Sequence, residues 1–206
     1  MRIVLADAGK RYNHDWIFRH VDYQFESGNA YAVTGHNGSG KSTLLQVLAG
    51  AIAVNEGKCT WNTAQNIAPE NVYQQMAICA PYLELVEEMT LPEFLLFHGH
   101  FKHWLPGFTP EKIIAEIGLE KASHKRISQY SSGMKQRVKL AQCIFSDTAA
   151  VMLDEPCTNL DTDGITLYHG LIEKYCGDRL VIISSNDPVE YRFCNHTLEV
   201  TRYKVA

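Results

Sequence analysis

A glycine-rich segment near the start of the chain constrains the fold more than any other part of the sequence. Residues 35–42 read GHNGSGKS, a complete match to the G-x-x-x-x-G-K-[ST] phosphate-binding loop. Glycine adopts backbone angles that other residues avoid, so consecutive N–H groups can turn inward around an anion. Such a loop needs a buried strand before it and a helix after it. Ala30–Val33 is short and apolar, and Ser42–Ala49 places leucine and valine on one helical face, so the sequence predicts both.

The same segment contains the groups that bind a nucleoside triphosphate with Mg²⁺. Lys41 brings a positive charge to the β- and γ-phosphates, and the hydroxyl of Ser42 is a ligand for Mg²⁺. The N-terminus of the following helix carries partial positive charge and faces the same anion. A glycine-rich turn without a ligand is the alternative. The predicted binding residues are Gly35, His36, Asn37, Gly38, Ser39, Gly40, Lys41, Ser42 and Thr43.

The composition indicates a globular chain. Of 206 residues, 46% are hydrophobic, which is enough to bury the core of a single domain over residues 1–206. A net charge of -4 and a pI near 6.1 argue against a broad cationic surface, so we expect no nucleic acid among the partners. No apolar run reaches the length of a membrane span and no signal-peptide core is present, which predicts a cytoplasmic location. The scattered cysteines predict free thiols.

Apolar segments alternate with helical patterns in the second half of the chain. Ala149–Leu153 and Leu180–Ile183 are apolar on both faces, which is typical of parallel strands. Arg2–Leu5 and Val21–Phe25 instead predict a small antiparallel layer. We therefore expect an α/β fold, a P-loop NTPase core with a mixed sheet, this antiparallel β layer and an inserted α-helical subdomain at about residues 83–133. Further strands are predicted at 59–61 and 76–79, and helices at 91–97, 111–117, 134–145 and 165–175.

Two acidic residues follow the apolar strand Ala149–Leu153. In an open parallel sheet, ligands gather at the carboxyl ends of the strands. Asp154 is there a candidate for holding Mg²⁺ together with Ser42. Glu155 is a candidate for orienting and deprotonating a water molecule that attacks the γ-phosphate. A helix cap or a solvated acidic pair is the alternative interpretation.

A Ser/Gly turn at Tyr130–Gly133 immediately precedes a predicted helix. The N–H groups at such a helix start can bind a second anion. Taken alone, however, this pattern is more typical of an N-capped helix without a ligand.

In their order along the chain, these motifs resemble those of the ATP-binding cassette family, the nucleotide-binding subunits of ABC transporters. The glycine-rich loop resembles Walker A, Ala149–Glu155 resembles Walker B, and Asn159–Asp161 resembles the D-loop. Tyr130–Met134 stands where the family has its LSGGQ signature, which other P-loop enzymes lack before Walker B. Tyr12 occupies the position of the family's adenine-stacking aromatic, and a tyrosine at a strand edge is the alternative. The resemblance covers essentially the whole chain.

The resemblance implies an ATPase that works as a head-to-tail dimer of two cassettes, identical or different, with two ATP molecules between them. Each ATP would be held by the phosphate loop of one cassette and by Ser131 and Gly133 in the signature of the other, and Asp161 of the D-loop is a further predicted nucleotide-binding residue. Hydrolysis would drive a membrane-spanning transporter subunit, with the cassette peripheral on the cytoplasmic side of the inner membrane. The choice of transported substrate would belong to that membrane subunit.

Four residues depart from the family pattern. Ser132 and Met134 replace the glycine and glutamine usual in the signature, and Tyr82 stands in place of the Q-loop glutamine. Asn186 replaces a γ-phosphate-sensing histidine, so it can donate a hydrogen bond to phosphate but cannot carry a positive charge. The predicted catalytic residues are Glu155, Lys41 and Asn186.

These departures leave other functions open. One is a nucleotide-binding switch with little or no hydrolysis. A DNA-repair or chromosome-type cassette would need a long coiled-coil insertion, and a small-molecule kinase would need an acceptor pocket in place of the signature. The segment Tyr82–Glu88 is, by its position in the family, a candidate docking surface for the membrane partner, with a solvated acidic loop as the alternative.

Overall fold

Four strands from the first third of the chain form an antiparallel sheet in the computed structural model, which describes residues 1–204. Strand β1 (Arg2–Tyr12) pairs antiparallel with β2 (Asp15–Glu26) and with β4 (Glu56–Asn62), and β5 (Asn66–Ile67) completes the order β2-β1-β4-β5. The predicted antiparallel layer is therefore confirmed. Its first two strands are longer than the sequence pattern indicated, because β1 continues past an irregularity between Leu5 and Ala8.

A five-stranded sheet positions the phosphate loop. Its order is β6 (Met76–Cys79), β7 (Ala150–Asp154), β8 (Leu180–Ser184), β3 (Ala30–Thr34) and β9 (His196–Glu199). Strand β3 runs parallel to β8 and β9, and β7 runs parallel to β8. All five residues of β7 and of β8 are buried, as expected for inner strands of a parallel sheet. The prediction of two apolar parallel strands is confirmed.

The five predicted helices are present, with ends that differ from the prediction by a few residues, whereas the short helix Pro188–Tyr191 was not predicted. The α-helices are α1 (Lys41–Leu48), α2 (Leu91–Gly99), α3 (Pro110–Glu116), α4 (Ser132–Ile144), α5 (Thr162–Tyr175) and α6 (Pro188–Tyr191). Short 3₁₀ helices lie at Pro69–Gln75, Glu120–Ala122, Ile127–Gln129 and Val200–Tyr203. Among residues 1–204, no helix is both long and apolar enough to cross a membrane. The six cysteines are free thiols, as predicted.

The chain forms two compact units. The sheet unit comprises Met1–Ile78, Thr148–Glu155 and a last segment that starts at Asp178, and its core includes Phe18, Phe25 and Leu45. The helix-rich unit comprises Cys79–Asp147 and Pro156–Gly177. Rings from three segments of this second unit pack together, with centroids 4.8 Å apart for Phe108 and Phe145 and 5.0 Å apart for Phe145 and Tyr175. The predicted insertion at residues 83–133 falls within the helix-rich unit, and residues 205 and 206 of the predicted single domain lie outside the described part.

Candidate active site

Three loops of the sheet unit follow the carboxyl ends of parallel strands. Asp154 at the end of β7 lies opposite Ser184 in β8, and Ser184 lies opposite Val33 in β3. Because the three strands end at the same edge, the residues that follow them gather there. These residues are the phosphate loop, Glu155 and Asn186.

The phosphate loop has the backbone conformation that its glycines predict. Gly38 and Gly40 have φ of 76° and 103°, in the left-handed region that favours glycine. A side chain at Gly40 would also overlap Ile17 of β2, so no larger residue fits. Ile17 therefore forms part of the wall of the site, although nothing in the sequence pattern identified it.

Helix α1 begins without a side-chain cap. Its N-cap residue is Gly40, and its first turn contains no acidic residue. Helices α3, α4 and α5 each have a side chain that accepts a hydrogen bond from their first turn, and α2 has a capping box. Free N–H groups and the helix dipole make the start of α1 a site for an anion.

Lys41 lies folded against the loop that it follows. Its Nζ donates to the carbonyl oxygens of Gly35 at 2.9 Å and of His36 at 3.4 Å, and the residue is only 5% exposed. Among the described residues no carboxylate forms an ion pair with this buried ammonium, so a bound phosphate would supply its counter-charge. Ser42 and Thr43 follow in the first turn of α1 and are half-buried.

Asp154 is the residue best suited to bind a cation. It is 3% exposed, and its Oδ1 atom has no hydrogen-bond partner among the described residues. A buried carboxylate oxygen without a partner is costly, and a hard divalent cation would satisfy it. The Oγ atom of Ser39 in the phosphate loop is buried without a partner in the same way. The donor set of oxygen atoms therefore fits Mg²⁺.

Glu155 has an unusual backbone conformation. Its φ of 46° lies in the left-handed region, and its N–H donates to the carbonyl oxygen of Ser184 at 2.8 Å. Residues other than glycine in this region are uncommon and cluster at functional sites. The carboxylate is half-buried, so water can reach it.

Asn186 contacts the phosphate loop directly. Its Nδ2 donates to Oδ1 of Asn37 at 2.8 Å, although the two residues are 149 positions apart. The ring of His36 next to it contacts the carbonyl oxygen of Asn37 at 2.8 Å. The structure thus brings Lys41, Asn37 and Asn186 together.

Tyr12 lies at the end of β1 with 48% of its surface exposed. The ammonium of Lys10 lies 5.3 Å from the ring centroid, and the same ammonium donates to the carbonyl oxygen of Ala53 at 2.8 Å. A side chain with an exposed aromatic face can stack against a base. The position of Tyr12 at the end of a strand also agrees with the alternative interpretation, a tyrosine at a strand edge.

The signature and D-loop residues belong to the helix-rich unit. Ser131 caps α4 by accepting a hydrogen bond from the N–H of Met134 at 3.2 Å, so the N-cap predicted as the alternative is present. Gly133 lies against the carbonyl oxygen of Asn159, and a Cβ atom would come within 2.9 Å of it. Asp161 caps α5 through the N–H of Gly164 at 2.8 Å. Ser131, Gly133 and Asp161 line a cavity of about 490 Å³.

A second cavity of the helix-rich unit, about 500 Å³, lies beside the acidic segment that follows β6. Lys135 of α4 forms an ion pair with Glu87 at 2.6 Å across this cavity. Glu84 and Glu88 also line it. Tyr82 is 49% exposed.

The comparison with known families decides the identity of this fold. The model of the ABC transporter family matches residues 18–158, about two thirds of the chain. The chain belongs to the ABC transporter family. As the sequence predicted, it is the ATP-binding and ATP-hydrolysing subunit of an ABC transporter.

Curated relatives agree with this family. An uncharacterized ABC transporter ATP-binding protein of Bacillus subtilis, YybJ, is 29% identical over 206 aligned residues, covering 96% of this chain and 92% of that protein. The cytochrome c biogenesis ATP-binding export protein CcmA of Xylella fastidiosa is 32% identical over 152 residues, covering 74% of this chain and 68% of that protein.

Solved structures agree on the fold. An ATP-binding subunit of an ABC transporter superposes with a TM-score of 0.81 at 22% identity, over 98% of this chain and 87% of that one. A bacterial ABC transporter cassette, solved as a dimer, also superposes with a TM-score of 0.81, at 17% identity over 97% of this chain and 95% of that one. The predicted α/β fold is therefore confirmed.

Proposed function

We propose that the cassette pairs head to tail with a second cassette and that two ATP molecules with Mg²⁺ lie between them. The division of the candidate residues carries this proposal. The phosphate loop, Asp154 and Glu155 belong to the sheet unit, whereas Ser131, Gly133 and Asp161 belong to the helix-rich unit. The signature residues line a cavity of about 490 Å³ within their own unit, the second half-site, and a second copy placed head to tail would bring its phosphate loop, the first half-site, to that cavity.

The first half-site binds the nucleotide. The N–H groups of the phosphate loop and of the start of α1 hold the phosphates, while Lys41 turns its ammonium toward them. Tyr12 stacks on the adenine. Ser42 and Asp154 would hold Mg²⁺, which when bound would neutralise part of the phosphate charge. The unpartnered oxygen of Asp154 supports this assignment.

Glu155 and Asn186 act on the γ-phosphate. The carboxylate of Glu155 orients a water molecule and accepts its proton as the water attacks phosphorus. Asn186 already donates a hydrogen bond to an oxygen of the phosphate loop, and it would donate to the γ-phosphate without adding charge. Ser131 and Gly133 of the second cassette contact the same phosphate, so hydrolysis releases the dimer.

A Glu155→Gln substitution tests the proposal, because glutamine keeps the shape of the side chain but cannot accept a proton. We expect ATP to convert the purified variant into stable dimers and steady-state phosphate release to fall by about 100-fold or more. Sedimentation with and without ATP, together with a phosphate assay, measures both. Glu173→Gln, at an exposed position of α5, is the matched control. Unchanged phosphate release in Glu155→Gln would remove this residue from the mechanism.

The released energy would drive a membrane-spanning subunit on the cytoplasmic side of the inner membrane. The segment Tyr82–Glu88 is our proposed docking surface. Lys135 is paired with Glu87, and among the other charged residues that line the cavity of about 500 Å³, Glu84 and Glu88 outnumber Lys139. A basic or polar cytoplasmic segment of the partner fits this surface.

Reversal of charge in Glu88→Lys tests this docking surface. We expect weaker co-purification of the membrane subunit and loss of coupled ATPase activity, while the ATPase activity of the isolated cassette is retained. Glu173→Lys is the control for an added positive charge elsewhere in the helix-rich unit. Normal assembly and coupling in Glu88→Lys would count against docking at this segment.

A further inference from the structure

The cavity beside the start of α4 contains more positive charge than the signature residues account for. Its volume is about 490 Å³, and both Lys121 and Arg137 line it together with Ser131 and Gly133. Lys121 lies in the short helix Glu120–Ala122, ten residues before Ser131 and outside every motif recognised in the sequence. The two cations approach the same cavity from different segments of the chain.

The charges in this cavity do not cancel. Asp161 is the acidic residue of its lining, and Arg137 lies 3.5 Å from its Oδ1 atom. The same carboxylate oxygen accepts the N–H of Gly164, so both of its partners are in place. Within residues 1–204, no carboxylate forms an ion pair with Lys121. The cavity therefore has an exposed ammonium available to an anion.

The rest of the lining is suited to a nucleotide. Leu119, Ala122 and Leu160 give the cavity apolar surface next to the hydroxyl and backbone groups at the start of α4. A ligand with several negative charges and a flat apolar part has both features that such a cavity recognises. ATP has them, and a small inorganic anion has only the charge.

We propose that Lys121 contacts the phosphates of an ATP molecule that is bound to the phosphate loop of a second cassette. The proposal rests on the head-to-tail dimer proposed above and adds a cation to its second half-site. Lys121 acts in trans: it strengthens the closed dimer and leaves the binding of ATP to its own chain unchanged. Because the side chain is exposed, its electrostatic contribution is modest and decreases with salt.

Dimerisation of the Glu155→Gln protein provides the test. We expect Lys121→Ala in this background to raise the ATP concentration at half-maximal dimerisation by about three- to tenfold in 50 mM salt, with a smaller change in 500 mM salt. Lys121→Arg keeps the charge and should restore the wild-type value. Lys125→Ala removes an exposed lysine that does not line the cavity, and should leave the value unchanged. Circular dichroism melting curves check that each variant folds.

A second measurement separates action in trans from action in cis. Ser131→Trp fills the second half-site with a bulky uncharged side chain and should hold the protein as a monomer, so that the binding of a fluorescent ATP analogue reports the phosphate loop alone. Adding Lys121→Ala to this monomer should leave the affinity unchanged. A weaker affinity would show that Lys121 acts on its own chain and would overturn the proposal.

The remaining outcomes are distinct. Failure of the Glu155→Gln protein to dimerise with ATP at all would overturn the head-to-tail dimer, whatever Lys121 does. Normal dimerisation with the same ATP requirement in Lys121→Ala would leave the dimer intact and overturn the assignment of Lys121.

Discussion

The side chain of Asn186 shows how a single residue can set the electrostatics of the site. It lies where the family resemblance predicts a histidine, and its amide donates to Oδ1 of Asn37 in the phosphate loop at 2.8 Å. An amide does not titrate, so this position has the same charge at every pH. An imidazole in the same place would gain a positive charge near its ordinary pKa of about 6.5.

Asn186→His should therefore make ATP hydrolysis depend on pH in a new way. The protonated imidazole stabilises the negative charge on the γ-phosphate, so the ratio of the variant kcat to the wild-type kcat should rise as pH falls from about 8 to 6. Steady-state assays at constant ionic strength measure this ratio. Asn186→Gln, which remains uncharged, is the control and should give a flat ratio. A flat ratio for histidine as well would mean that residue 186 does not face the phosphate.

Single residues also show which parts of the site could be predicted. The phosphate loop and Asp154 were predicted because each belongs to a local pattern whose chemistry is fixed by a few neighbouring positions. The contact between Asn37 and Asn186 spans 149 residues, and Ile17 lies against Gly40 from another strand. No local pattern contains such pairs, so only the folded chain reveals them.

Whole elements show the same contrast between local patterns, which can be predicted, and long-range contacts, which cannot. The predicted start of helix α2 is confirmed, since Thr90 and Glu93 form a capping box before an apolar run. Strand β9 was not predicted, because four residues carry too little pattern to be recognised. It forms by pairing with β3, where His196 stacks on Tyr31 with ring centroids 4.8 Å apart. Short elements of this kind are determined by their partners.

Hydrogen bonds of His98 link the end of α2 to α4 and to the residues just after α4. His98 Nδ1 faces the amide nitrogen of Gln142 at 3.1 Å, and its Nε2 faces the hydroxyl of Ser146 at 3.0 Å. The amide nitrogen can only donate, so Nδ1 accepts and the proton resides on Nε2. Burial, aided by the charge of Lys102, lowers the pKa of His98 to about 4. The folded chain therefore holds this imidazole neutral.

The stability of the protein should consequently fall in mild acid. Between pH 6.5 and 4 the unfolded chain binds a proton at His98 that the folded chain does not, so the free energy of unfolding rises with pH across this window. The contribution is complete above pH 6.5 and amounts to about 1–2 kcal/mol after allowance for partial solvent exposure. Urea unfolding at pH 7 and at pH 4.5 measures it. The difference in free energy of unfolding between the two pH values should shrink in His98→Gln. It should persist in His100→Gln, which changes an exposed histidine. An unreduced difference in His98→Gln would show that His98 does not cause the loss of stability.

At the scale of the whole molecule, the arrangement of strands is the feature furthest from the sequence. Alternating apolar segments and helices predicted a parallel sheet, and that prediction is confirmed. The order β6-β7-β8-β3-β9 places strands from distant parts of the chain side by side. Strand β3 pairs with β8, in which Ile182 lies opposite Tyr31, and with β9, in which His196 lies opposite the same residue. Because β8 lies between β7 and β3, Glu155, Asn186 and the phosphate loop come to the same edge of the sheet. Pairing over such separations leaves no local pattern in the sequence.

The same long-range arrangement predicts how ATP stabilises the chain. The phosphate loop lies between β3 and α1, so a ligand bound there holds the native sheet unit and has no equivalent site in the unfolded chain. At a concentration 100 times its Kd, ATP with Mg²⁺ should add about 2.7 kcal/mol, or about 5–10 °C in Tm for a chain of this length. Calorimetry of the Ser131→Trp monomer, with and without ATP, measures binding apart from dimerisation.

Lys41→Ala should abolish this stabilisation, because it removes the ammonium that lies over Gly35 and His36. Lys58→Ala, an exposed position in the same unit, should retain the full increase in Tm. Chelation of Mg²⁺ should reduce the increase in the parent monomer, since Asp154 would then face the phosphates without a cation between them. An equal increase in Lys41→Ala and Lys58→Ala would place the bound ATP outside the phosphate loop.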